Sequence, residues 1–451
     1  MKLNAKQVYD KLPIFAQNVA FSLAGANIQR TRFGKGFYSK LDEFEHHLNW
    51  NKDQLTEWQN KKIQEIVIHA YRTVPYYKAL MDEGGIDPLS VKEACDLKRF
   101  PILTKQDIKK QPTAFLSSEA SSLNAIDVHT SGTTGSGFQF KSTVECRQAQ
   151  FACFWRFYRQ HGLSFDTWQA QFSSRGAVPV TQDRPPFWRI DYPGKRYYMS
   201  AFHENDAKLL SYYEIVRKKK FEWISGYPSL MVLLAQWMNE RQLSFDNVRT
   251  VTCGAETLLP HQASAMKEAF GVQPIQTYGQ TENVAIFSTQ PDGRILVDED
   301  FSIVEFVPTG IGNQMMVVGT CLFNYAMPMI RYATNDTVSL GDTSGTRREV
   351  ATIDGRSEDY VSLPDGTKIG KLDHVFKDTP HFIEAQIYQK NDYSVVFRVV
   401  GDPSACTEDE RTALSEFNAS TGGVLPVRFE YMAALPRGCG SKLRFVLSEL
   451  N

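Results

Sequence analysis

The strongest constraint on the fold is a rhythm. Between about residues 125 and 335, short runs rich in β-branched and aromatic residues alternate with longer amphipathic stretches, the pattern of an α/β sheet carrying helices on its faces. Phe221-Glu222-Trp223-Ile224-Ser225 and Val248 to Cys253 have the composition of strands, whereas Ser229 to Glu240 and Pro260 to Phe270 have that of helices. The Asp354-Gly355-Arg356 segment breaks the alternation and predicts a hinge-like loop. Beyond it, Ser394-Val395-Val396-Phe397-Arg398-Val399 alternates as a strand, Thr407-x-x-Glu410 reads as a capping box opening a helix, and Val427 to Tyr431 reads as a further strand. The expected fold class is therefore α/β: a large N-terminal domain of mixed sheets and helices over residues 1–354, a hinge-like loop at 355–358, and a small α+β domain over 359–451.

The first 115 residues predict mainly helix. Asn51-Lys52-Asp53 is placed to cap a helix whose Leu55, Trp58, Ile63, Ile66, Val67, Ala70 and Tyr71 form one apolar stripe. Pro75, Pro101 and Pro112 punctuate short connections. No repeat with a period of roughly 20 to 50 residues is visible, which removes solenoids and propellers.

Composition narrows the function. The 451 residues exceed one small domain, and 42% hydrophobic and 12% aromatic residues are enough for sizeable cores. Fifty Lys plus Arg against fifty-one Asp plus Glu give a formal charge of −1, which argues against a nucleic-acid partner or a polybasic membrane anchor. The chain lacks any run of about 18 apolar residues, so no membrane insertion is expected, and its start lacks the apolar core of a signal peptide, so a cytoplasmic location is expected. Seven scattered cysteines without a C-x-x-C pair predict reduced thiols.

His129-Thr130-Ser131-Gly132-Thr133-Thr134-Gly135-Ser136-Gly137 holds five hydroxyls and three glycines in nine residues. Converging backbone N–H groups and hydroxyl donors suit the oxygens of a polyphosphate. Phe138 stands where a Walker A loop requires lysine. Taken alone, the segment reads first as a solvated Ser/Thr/Gly loop.

The order of later stretches adds to this. Cys253-Gly254-Ala255-Glu256, Thr277-Tyr278-Gly279-Gln280-Thr281-Glu282, Met329-Ile330-Arg331-Tyr332-Ala333-Thr334-Asn335-Asp336, Gly355-Arg356-Ser357-Glu358-Asp359-Tyr360 and Gly440-Ser441-Lys442-Leu443-Arg444 follow in turn. Together with His69 to Tyr77, they resemble the adenylate-forming superfamily of acyl-CoA synthetases, adenylation domains and luciferases. Within it the chain is most similar to the phenylacetate-CoA ligase group and its CapK-like relatives, often associated with capsular polysaccharide synthesis.

The resemblance implies a role for each stretch. Thr130, Ser131, Gly132, Thr133, Thr134 and Gly135 would meet the triphosphate of ATP. Tyr278 with Gly279 would offer an aromatic face to adenine, and Gly254, Ala255 and Glu256 would line its edge, with Thr281 nearby. Glu282, a hard oxygen ligand, would help hold Mg²⁺. Asp336 and Arg356 would bind the ribose. Lys442 would reach the α-phosphate and the attacking carboxylate, and with Glu282 and Thr130 completes the implied catalytic set; Arg437 and Arg444 are rival cations. Glu358 would be the hinge residue about which the lid turns between two half-reactions.

The implied reaction is activation of a small carboxylic acid as an acyl-AMP, followed by transfer to a second nucleophile, with coenzyme A the commonest acceptor in the group. Amide formation, release of the free adenylate, and a catalytically inactive nucleotide-binding protein are the alternatives. Val361 to Lys368 replaces a glycine-rich loop common in CoA ligases with a Leu363-Pro364-Asp365-Gly366 turn, more like the CapK-like branch. Some relatives hold a structural zinc; Cys253, His261 and Cys321 offer three ligands without an evident fourth, so buried thiols are expected. Trp155, Tyr158 and Tyr227 are candidate pocket walls, while Arg156, Arg159 and Gln160 would suit a polar acid. A homodimer is the form often found in the group.

Overall fold

The computed structural model describes residues 5–129, 139–174, 177–179, 182, 184–200, 206–310, 313–356, 360–365, 368–369, 372–376, 379, 381–382, 384–436 and 444–450. Thr130 to Gly135, Glu358, Arg437 and Lys442 lie outside the described residues, as does the side chain of Arg356. The chain forms two compact units: residues 1–29, 163–276 and 358–451 in one, and 30–162 and 277–357 in the other.

In the first unit, strands Thr250–Gly254, Trp223–Gly226, Gln169–Ser174 and Arg196–Ser200 run parallel in that order, and Trp188–Asp191 adds antiparallel at the edge. Parallel strands are covered on both faces, which is why they read as apolar runs. Ile224 and Val251 are fully buried with Leu234 and Met238 of helix Pro228–Glu240 and Met266 and Phe270 of helix Pro260–Phe270. The same unit contains a four-stranded sheet in the order Val427–Tyr431, Val395–Val400, Glu384–Gln389 and Val446–Ser448. Its own core includes Val395, Phe397 and Phe417, the last from helix Thr407–Thr421.

That helix begins at Thr407 with Cys406 as its cap and no side-chain cap hydrogen bond, so the expected capping box does not form. Thr407 is already helical, and Glu408, Asp409 and Glu410 fill the first turn, where negative charge complements the helix dipole. Asp409 accepts the His381 N–H at 2.6 Å.

The second unit is an antiparallel meander with helices. Its strands follow the order Ser302–Pro308, Met315–Cys321, Tyr332–Leu340, Glu349–Arg356, Ile295–Val297, Ile286–Thr289 and Ile275–Gly279, the last carrying the chain across from the other unit. Asp354, Gly355 and Arg356 close a strand in this meander. Phe287, Val297, Val304, Val317, Val338 and Val350 form one shared core that also receives Tyr278, so the sheet curls around its apolar face.

Helix Lys52–Thr73 starts as its sequence predicts. Asn51 Oδ1 accepts the Gln54 N–H at 3.0 Å, and Gln54 Oε1 accepts the Asn51 N–H at 3.0 Å. This reciprocal cap stabilises the first turn by about 1 kcal/mol. Leu55, Ile63, Ile66, Val67 and Ala70 form its buried face. Among the described residues, no helix is long and apolar enough to cross a membrane.

Candidate active site

The site is built on the curled meander. Tyr278 is the penultimate residue of strand Ile275–Gly279, and its hydroxyl donates to Asp336 Oδ2 at 2.8 Å. One ring face stacks on Phe287, with centroids 4.7 Å apart and planes 18° apart. Burial pushes the phenol pKa well up, and the neighbouring Asp336 charge adds to the effect. The phenol therefore remains a donor across working pH.

Asp336 is oriented from its own strand. Asn335 takes φ of +61°, a conformation asparagine tolerates better than most residues. The Asp336 N–H then donates to Thr334 Oγ1 at 3.0 Å, and that hydroxyl donates to the Val317 carbonyl at 2.9 Å. Asp336 is paired directly with Arg356 across the ladder, so the two expected ribose contacts share one register position.

Glu282 follows Tyr278 in a turn with two internal ties. Gln280 Nε2 donates to the Tyr278 hydroxyl at 2.9 Å, while its Oε1 accepts the Ala285 N–H at 3.2 Å. Helix Val144–Gln160 supports the turn from outside: Gln150 Nε2 donates to the Gln280 carbonyl at 3.1 Å, and a Cβ on Gly279 would sit 3.1 Å from the Phe154 ring. Glu282 itself is half-buried and accepts from the Tyr332 hydroxyl at 3.3 Å. A partly exposed carboxylate suits Mg²⁺, which keeps several waters and takes few protein oxygens. Thr281 is exposed beside it.

Gly254, Ala255 and Glu256 belong to the other unit, at the end of strand Thr250–Gly254. Ala255 has φ of +68°. Glu256 Oε2 accepts the Ser229 N–H at 3.2 Å, at the start of helix Pro228–Glu240, where its charge meets the positive helix end. Tyr227 caps that helix and packs on the first unit's core.

Trp155 is buried, its ring meeting Phe33 and Tyr158 edge-on, and Tyr158 is half-buried. Arg156 corrects the sequence reading. It is 1% exposed, and its guanidinium is committed to Asp300, to Asp298 Oδ1 at 2.6 Å and to the Phe44 carbonyl at 3.0 Å. Arg347 and His47 also reach Asp300, at 3.2 and 3.1 Å. Burial alone would raise the Asp300 pKa, but Arg156 and Arg347 outweigh it and hold the carboxyl well below the usual range. Burial dominates at Asp298, which lies above the ordinary value despite the same two arginines. The available signal for this network was a run of three acids, Asp298-Glu299-Asp300, set between Ile295-Leu296-Val297 and Phe301.

Gln150, Gln280, Phe287 and Thr334 were not singled out from the sequence, although Gln280 lies inside the Tyr-Gly-Gln-Thr-Glu stretch. Cys321 meets Cys146, with sulfurs 3.8 Å apart, and Cys146 accepts from Asn283 Nδ2 at 3.5 Å. Cys253 and His261 belong to the first unit and Cys321 to the second.

Residues 194–310 match the AMP-binding enzyme family. That match spans the Gly254 to Glu256 and Tyr278 to Glu282 stretches. Over most of its length the chain is similar to Protein CapK and to phenylacetate-coenzyme A ligases. It is 21% identical to Protein CapK of Staphylococcus aureus over 98% of this chain and 99% of that protein. It is 26% identical to phenylacetate-coenzyme A ligase of Escherichia coli (strain K12) over 72% of this chain and 76% of that one. In fold it is similar to 2-hydroxyisobutyryl-CoA ligase, with a TM-score of 0.66 at 17% identity, covering 86% of this chain and 88% of that structure.

Proposed function

We propose that the protein activates a small carboxylic acid with MgATP and transfers the acyl group to a second nucleophile, with coenzyme A the leading acceptor. The observation that carries this reading is the convergence of Tyr278, Asp336 and the Glu282 turn on one curled sheet, with Arg356 at the register position of Asp336.

In the first half-reaction a substrate carboxylate oxygen attacks the α-phosphorus, and the bond to the β-phosphate bridging oxygen breaks, releasing pyrophosphate. Tyr278 packs against adenine, Asp336 and Arg356 hold the ribose, and Thr130 to Gly135 cradle the phosphates. Glu282 would hold Mg²⁺, which neutralises phosphate charge when bound. Lys442 offsets charge on the α-phosphate as pyrophosphate leaves. In the second half-reaction the lid turns at Glu358, and a thiolate adds to the acyl carbonyl with AMP as leaving group. By resemblance Gly254 to Glu256 would line the nucleotide edge, and Trp155, Tyr158 and Tyr227 are the candidate walls of the acyl pocket.

A second reading is a CapK-like ligase that forms an amide or stops at the adenylate, in polysaccharide or secondary-metabolite biosynthesis. It is favoured by the end-to-end similarity to Protein CapK. The Leu363-Pro364-Asp365 turn following the short strand Val361–Ser362 also supports it.

Carboxylate-dependent exchange of labelled pyrophosphate into ATP, run over aryl, uronic and amino acids, tests the adenylation. ATP binding without exchange for any acid leaves an inactive nucleotide-binding protein as the correct description. Product mass spectrometry with and without coenzyme A then separates a thioester from an amide or free adenylate.

A further inference from the structure

Helix Ile14–Arg32 is built inside out. Its polar and small residues face the protein: Gln17 Oε1 accepts from Arg189 Nε at 2.6 Å, and Asn18 Oδ1 accepts the Ile190 N–H at 3.0 Å. Ser22 Oγ donates to the Ile190 carbonyl at 3.1 Å and accepts the Tyr192 N–H at 3.3 Å. At Gly25 the approach is so close that a Cβ would fall 2.0 Å from an Asp191 carboxylate oxygen. Strand Trp188–Asp191 is the outermost strand of its parallel sheet. The helix side chains therefore satisfy backbone groups that an edge strand leaves open.

With its polar stripe committed inward, the helix turns apolar residues out. Phe15, Val19 and Leu23 recur every four residues and are 79%, 42% and 67% exposed, with Ala26 exposed on the same side. Leu12 to Gln29 contains no charged residue, whereas Lys6 and Lys11 precede it and Arg30, Arg32 and Lys35 follow. Asp10 is the only acid before Asp42. A net charge of −1 over the whole chain thus conceals a cationic N-terminal segment.

We propose that this stripe docks the protein onto an anionic phospholipid surface. The helix lies in the plane of the headgroups, Phe15, Val19 and Leu23 enter the acyl boundary, and the exposed Lys11 and Arg30 at its two ends meet lipid phosphates. Its tie to the edge strand prevents it from spanning the bilayer. A second copy is a poorer occupant, because two helices stacked on this face bring cations at both ends against one another. None of the stripe residues is among those assigned to nucleotide under the proposed function, so docking and catalysis can be tested apart.

Flotation with phosphatidylcholine vesicles, with and without phosphatidylglycerol, provides the test. The wild-type protein is expected to float with the anionic vesicles and to remain behind with neutral ones. Phe15→Ser combined with Leu23→Ser should lower the bound fraction at least about tenfold, given the apolar area withdrawn. Lys11→Gln with Arg30→Gln should weaken the preference for phosphatidylglycerol. All these positions face solvent or flank the stripe, so thermal melts and pyrophosphate exchange should match the wild type. Failure of the wild type to float, equal flotation with both vesicle types, or full flotation of the double serine variant would overturn the proposal. So would a dimer in sedimentation that becomes monomeric in the double serine variant without any lipid binding, which would give the stripe to a second copy.

Discussion

The Tyr278 hydroxyl lies 2.8 Å from Asp336 Oδ2 although three strands stand between their two strands in the order of the sheet. Only a sheet that curls back on itself brings them together. Tyr278 thus holds the carboxylate expected to bind ribose, while Phe287 supports the ring from behind.

Separating these contributions requires two variants. Asp336→Ala should raise the ATP KM in pyrophosphate exchange by about tenfold or more, because a charged acceptor is lost. Tyr278→Phe keeps the ring stacked and removes one hydrogen bond, so urea unfolding should report a loss of about 1 kcal/mol, with a smaller KM change than for Asp336→Ala.

Arg156 should matter to stability and not to substrate choice. Arg156→Met leaves Asp300 and Asp298 buried without their main partner, at a cost of about 3–5 kcal/mol by denaturant unfolding. A shift in acid specificity without loss of stability would contradict the buried network.

The same network sets an acid limit. Asp300 ionises more readily in the folded chain, so its contribution is full above the ordinary value of about 3.8 and is lost as pH falls through the lower folded value. Asp298 acts in the opposite sense, its folded pKa being raised. Stability measured from pH 5 downward should fall less steeply for Asp300→Asn than for the wild type, from a lower starting value.

Gly319 connects packing to the metal candidate. A Cβ there would fall 2.0 Å from the Val284 carbonyl oxygen, two residues after Glu282. Gly319→Ala must displace that backbone and should cost about 1–3 kcal/mol, with a higher Mg²⁺ requirement in the exchange assay. Unchanged Mg²⁺ dependence would separate this glycine from the Glu282 turn.

Lys442→Ala should abolish pyrophosphate exchange while ATP affinity, measured calorimetrically, stays near the wild-type value. Full exchange in that variant would return the role to another cation such as Arg444.

Local features were legible from the residues. The Asn51 cap, helix Pro260–Phe270 and strand Val427–Tyr431 lie where their patterns put them, because each depends on neighbours in sequence. The capping box at Thr407 failed for a similar local reason: the helix starts one residue earlier than a threonine cap requires, and its first turn is stabilised by charge. Overall charge balance is silent on distribution, since a sum over 451 residues does not show that the first forty are cationic.

By itself the sequence determined the periodicities, the turn residues and the ordered stretches that mark an adenylate-forming chain. Tertiary structure decided what those residues face. Arg156 became a buried ion-pair partner, Cys321 met Cys146, and the helix from Ile14 turned its apolar side outward. The reason is physical: helical or strand spacing tells which residues share a face, but the partner of that face comes from distant segments, here a curled sheet and an edge strand.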